Sequence, residues 1–112
     1  MSKKDETKFK EKFRPRLDAI PGSWWVKVQQ VCIRGMPDFL GCIYGRFVAI
    51  ELKKDERHPD KLQSYTMDRI AQAGGITYTA CPENADEIIA HLTIVSTHLR
   101  PGRCLASEDK SS

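Results

Sequence analysis

The sequence predicts an α/β domain: a small mixed sheet flanked by helices. Three observations carry this. Two apolar runs, 38–43 and 46–52, are separated only by Tyr44-Gly45, the length of a two-residue hairpin loop. A charged connector and a helical stretch then lead to a short β-rich run at 76–81, the pattern of a parallel crossover. Helical spacing of apolar residues marks segments before and after this unit. The order is α-β-β-β-α-β, followed by a last helix.

Each element has its own signal. Phe9, Phe13 and Leu17 recur at helical spacing over residues 4–19, and Glu6 lies on the same face. Pro15 is expected to kink this helix or end it near Arg14. Pro21-Gly22 marks a turn, and the Trp- and Val-rich run from Trp24 to Val31 reads as a strand that Arg34-Gly35 breaks. The hairpin follows. After KDERHPD, Pro59 suits a helix start, and Gly74-Gly75 closes a helix reaching about Ala73. Ile76 to Cys81 is the fourth strand. Pro82 opens a final helix with Ile88, Ile89 and Leu92 as its apolar face.

With 112 residues, 40% hydrophobic and 29% charged, one globular domain is expected, spanning residues 1–95, with a C-terminal tail at 96–112 that has little to bury and is partly disordered. No apolar run approaches the roughly 18 residues of a membrane span, and MSKKDETKFKEK lacks the apolar core of a secretory signal. The four cysteines form no CxxC pair, and Cys42 and Cys81 read as small buried hydrophobes, which fits a reducing cytoplasm. Residues 1–16 hold seven Lys or Arg against three Asp or Glu. Such a segment attracts phosphate, but on its own it reads as a solvated helix face.

The hairpin carries the chemistry. With Tyr44-Gly45 as the loop, Ile43 faces Arg46, and the same register sets Asp38 directly across from Glu51. Their Cβ atoms then stand about 5 Å apart on one sheet face, and Lys53 points to that face too. Like charges across a strand pair are destabilising, and a hard divalent cation removes that cost. Asp38, Glu51 and the Leu52 backbone carbonyl are candidate ligands of a hard cation such as Mg²⁺. Lys53 can position or deprotonate an attacking water, or stabilise charge in the transition state. The predicted reaction is metal-assisted hydrolysis of a phosphodiester. Gln63, in line with Met67 and Ile70, faces the sheet near the end of the third strand. Glu6 is the candidate for a third acidic contact.

The residues MPDFLG, GRFVAIELKK, Gln63 and AGG together resemble the PD-(D/E)XK nuclease superfamily, and more closely its small stand-alone VRR-NUC domains. The resemblance covers roughly residues 6–92. Pro37-Asp38 matches the PD half, Glu51-Leu52-Lys53 the ExK half, Gln63 the downstream Gln and Glu6 the N-terminal helical Glu. It implies a restriction-endonuclease-like core and a Mg²⁺- or Mn²⁺-dependent endodeoxyribonuclease. It further implies a Holliday-junction resolvase-like homodimer acting on branched or duplex DNA, a phage or bacterial source, and a place in the host or bacterial cytoplasm. A larger repair, replication or packaging complex is a further candidate partner.

Taken singly, Asp38 also reads as a turn-capping residue, Glu51 and Lys53 as a strand-end ion pair, Gln63 as an ordinary first-turn residue and Glu6 as a solvated charge. Together they favour the nuclease. Lys8, Lys12, Lys54, Arg57 and Lys61 are candidate DNA contacts, although Asp55, Glu56 and Asp60 lie among the last three. Two alternatives remain: a sequence-tolerant or nicking nuclease of the same fold, and a non-catalytic DNA-binding or assembly module. No helix-turn-helix or zinc finger is visible, which argues against sequence specificity.

Overall fold

The computed structural model describes residues 3–28, 35–53 and 61–101, with side chains described over 8–28, 35–53 and 64–101. The elements are α1 (Lys3–Asp18), β1 (Ser23–Lys27), β2 (Phe39–Ile43), β3 (Arg46–Leu52), α2 (Lys61–Gln72), β4 (Ile76–Ala80) and α3 (Ala85–Leu99). The four strands form one sheet in the order β1-β2-β3-β4. The first two pairings are antiparallel, and β3 pairs with β4 in parallel across the α2 crossover.

The hairpin forms as its loop length dictates. Ile43 pairs with Arg46 and Phe39 with Ile50. Tyr44 (φ 45°) and Gly45 (φ 87°) both take positive φ, the type I′ geometry whose twist matches the strands. Strand alternation then divides the residues between two faces. Trp25, Phe39, Ile43, Val48 and Ile50 join Phe13 and Leu17 of α1 and Ile88 and Leu92 of α3 in one buried cluster. The opposite face carries Ala49 and Glu51, both buried, on the strand next to β4, which α2 contacts. The two tryptophans split along the same alternation: Trp25 is buried and Trp24 is 65% exposed.

Helix α2 ends in a Schellman motif. Gly75 N–H donates to the Ile70 carbonyl (2.9 Å) and Gly74 N–H to that of Ala71 (3.0 Å), with Gly74 at φ 98°. The turn into α3 is braced by Asn84, whose Oδ1 accepts from Cys81 N–H (2.8 Å) and whose Nδ2 donates to the Thr79 carbonyl (3.1 Å).

Three expectations need correcting. Helix α1 does not end near Arg14 but runs through Pro15 to Asp18. Phe13 and Leu17, both fully buried on either side of the proline, hold the helix on the sheet. The one donor Pro15 lacks would have served the carbonyl of Glu11, an exposed position where water substitutes. Residue 96 does not begin a tail with nothing to bury: α3 continues to Leu99, and Ser96 is buried with its Oγ donating to the Pro21 carbonyl (2.6 Å). Cys81 is buried as expected, but Cys42 is half-buried, on the sheet face opposite the main core. The expected strand residues 29–31, the Arg34 break and the Pro59 helix start lie outside the described residues.

Candidate active site

The end of β3 and the start of β2 meet within reach of the Lys10 side chain of α1. Asp38 immediately precedes β2, and its carbonyl accepts from Val28 N–H (2.8 Å), the residue after β1, which fixes its backbone. The β2–β3 register, continued one step beyond Phe39↔Ile50, sets Asp38 against Glu51. Asp38 is 8% exposed and Glu51 4%. Asp38 Oδ2 accepts the Leu52 backbone N–H at 2.8 Å. The two carboxylates therefore stand at neighbouring strand ends in largely dry surroundings, where like-charge repulsion is strong.

Two ammonium groups offset that repulsion. Lys53, whose own N–H donates to the Ala80 carbonyl (2.7 Å), places Nζ 3.5 Å from Glu51 Oε2. Lys10 of α1 places Nζ 3.1 Å from Asp38 Oδ1. Both lysine side chains are about a quarter exposed, at 24% and 26%, so each reaches solvent while its partner carboxylate is buried.

The structure thus gathers Asp38, Glu51, Leu52 and Lys53 as the hairpin register requires. Glu6 lies in α1 one helical turn before Lys10, and Gln63 in the first turn of α2; both side chains, and that of Lys61, lie outside the described residues, as do Lys54 and Arg57 entirely. Lys8 and Lys12 are exposed on α1. Sequence reasoning missed Lys10. Its spacing gave half of the signal: it stands three residues before Phe13, on the buried side of the helix, but nothing local names its partner. A cleft of about 400 Å³ opens beside it, lined by Lys10, Glu11, Arg14, Pro15, Lys27 and Phe39.

The donor set suits a hard divalent cation. Two carboxylates and a backbone carbonyl at one strand end are oxygen ligands of the kind Mg²⁺ and Mn²⁺ take. Among the described residues no group of three or more His, Cys, Asp or Glu converges. No helix among the described residues is long and apolar enough to cross a membrane.

The element order and the mixed sheet, antiparallel except for the β3–β4 pair, are those of a restriction-endonuclease-like core. A solved structure described as a VRR_NUC domain shares the fold with a TM-score of 0.64 and 27% sequence identity, over 77% of this chain and 95% of that one. The likeness supports a VRR-NUC domain and, with it, a nuclease-type domain. No family model and no curated protein matches the chain.

Proposed function

We propose that the chain is a divalent-metal-dependent DNA endonuclease that hydrolyses phosphodiester bonds. The observation that carries this reading is the buried Asp38–Glu51 pair with Lys53 at the same strand end. Asp38, Glu51, the Leu52 carbonyl and Glu6 would hold Mg²⁺ or Mn²⁺. Bound there, the ion supplies Lewis acidity and a water acidic enough to attack at neutral pH. The chain supplies the rest. Asp38 is locked by Leu52 N–H, so its free lone pairs keep one direction. Lys53 stabilises the negative charge that builds on the non-bridging phosphate oxygens as water adds and the leaving oxygen departs. Gln63 orients the water or the phosphate.

The preferred substrate in this reading is branched DNA, cut symmetrically by a homodimer as in a junction resolvase. The exposed apolar residues Trp24, Ile94 and Leu99 are surface available to a second copy. The test is cleavage of labelled four-way junction, flap, duplex and single-stranded DNA in Mg²⁺ or Mn²⁺, wild type beside Asp38→Ala and Lys53→Ala. Symmetric cuts confined to the junction and lost in both variants support the whole reading. Equal cutting of every substrate keeps the site and discards junction selectivity. No cutting by folded wild type in either metal favours the non-catalytic DNA-binding module.

A further inference from the structure

Lys10 stands at a junction between two environments. On one side its ammonium pairs with Asp38 Oδ1 at 3.1 Å. On the other it lines the cleft that also holds Arg14 and Lys27. Asp38 Oδ2 is held by the fixed backbone N–H of Leu52, whereas the partner of Oδ1 is a flexible side chain, so Oδ1 is the oxygen a divalent cation can take over. A divalent ion and Lys10 therefore compete for one atom. The same-sign repulsion between them drives the ammonium outward along its flexible stem. The cleft it would enter holds Lys27 and Arg14, the latter paired with Asp18 at 3.4 Å and donating to the Trp25 carbonyl, against one lining carboxylate, Glu11; with Lys10 turned in, three cationic side chains line it, an arrangement that attracts a phosphate.

Resting on the metal-dependent nuclease reading, we propose that Lys10 is an exchangeable counter-ion: it neutralises Asp38 until a divalent cation binds, then turns into the Arg14–Lys27 cleft to take a backbone phosphate of the DNA. Two consequences separate this from a static ion pair. Lys10 opposes metal binding when DNA is absent. It adds a phosphate contact only when metal is present. Metal and DNA binding are thereby coupled through one side chain, and the coupling is reciprocal.

The experiment has two arms. In the first, Mn²⁺ alone is titrated calorimetrically into wild type, Lys10→Gln, Lys10→Arg and Lys8→Gln, each checked for folding by circular dichroism. Removing a partly exposed competing ion pair is expected to tighten Mn²⁺ binding about fivefold in Lys10→Gln. Lys10→Arg, which keeps the competing charge, and Lys8→Gln, which removes one charge elsewhere on α1, stay within about twofold of wild type. Equal or weaker Mn²⁺ binding by Lys10→Gln overturns the proposal while leaving the metal site standing. Absence of Mn²⁺ binding in every protein overturns the metal reading itself.

In the second arm, the salt dependence of binding to a short phosphorothioate-substituted duplex is followed by fluorescence anisotropy. In Mn²⁺ the logarithmic salt slope of Lys10→Gln should be shallower than wild type by about 0.9, one phosphate contact. In EDTA the two slopes should coincide, because Lys10 is then held by Asp38. A difference of equal size in both conditions, or in neither, overturns the exchange.

Discussion

Asp38 and Leu52 close the open end of the hairpin: the Asp38 Oδ2 oxygen accepts the buried Leu52 N–H at 2.8 Å. One side chain thus serves two purposes, tying the start of β2 to the end of β3 and presenting a carboxylate beside Glu51. The two are separable. Asp38→Ala leaves the Leu52 donor without this acceptor in a buried strand end, at a cost of about 1–3 kcal/mol. Asp38→Asn keeps an acceptor oxygen and removes the charge, so its urea midpoint should lie closer to wild type. Both should lose metal-dependent cleavage. Urea melts run beside cleavage assays check the pair, and equal stability of the two variants would remove the structural half of this assignment.

Lys53 invites the complementary substitution. Its Nζ lies 3.5 Å from Glu51 Oε2 and keeps company with a carboxylate that is only 4% exposed. Lys53→Met retains the stem and removes the charge. Cleavage in Mn²⁺ should fall by about 10²–10³, the scale for losing one preorganised transition-state donor. Chelation of the metal by EDTA should abolish cleavage by wild type, and added Mn²⁺ should restore it. Single-turnover rates at saturating DNA provide the measurement. A Lys53→Met rate equal to wild type would demote the residue to a strand-end ion pair.

The hairpin was legible in sequence because a two-residue loop leaves no freedom: once Tyr44-Gly45 turns the chain, the period-two alternation places Asp38, Glu51 and Lys53 without further information. The crossover order was legible for the same local reason, since turn residues and periodicity mark each element. Lys10 was not, because its partner depends on how α1 lies across the sheet, and helical spacing alone gives a face and not an azimuth. Pro15 misled because the local cost of a missing N–H was weighed without the burial of Phe13 and Leu17 that outweighs it. Ser96 misled through its polarity; its hydroxyl is satisfied by Pro21, 75 residues away in the chain.

Gly41 is required by a close approach. It pairs with Trp25 across β1–β2, and a Cβ there would lie 2.4 Å from both the Trp24 carbonyl oxygen and Trp25 Cε3. Neither neighbour can yield easily, one being backbone and the other a buried ring. Gly41→Ala should therefore destabilise by about 1–3 kcal/mol, as overpacking does. Because β2 carries Phe39 into the core and Asp38 to the site, the variant should also weaken cleavage more than its stability loss explains. Denaturant midpoints and cleavage rates at low temperature test both parts, and a neutral Gly41→Ala would show that the indole moves freely.

Cys81 gives a pH dependence with a definite sign. Burial pushes its thiol up from the ordinary value of 9.0, with the Glu83 side chain adding to the rise, while backbone hydrogen bonds oppose it. The residue is 1% exposed at the end of β4. In the folded chain the thiol keeps its proton at a pH where the unfolded chain has lost it. The unfolded state then gains by ionising, so this contribution to stability is complete below the ordinary thiol value and declines as pH rises through it. The thiolate is the reactive form, so native Cys81 should resist alkylation and react only after unfolding. Peptide mass mapping after iodoacetamide at pH 8, in the absence and presence of urea, reads this directly. Half-buried Cys42 serves as the internal comparison and should label faster in the native protein. Rapid native labelling of Cys81 would mean that the β4–α3 turn held by Asn84 opens far more readily than its two hydrogen bonds allow.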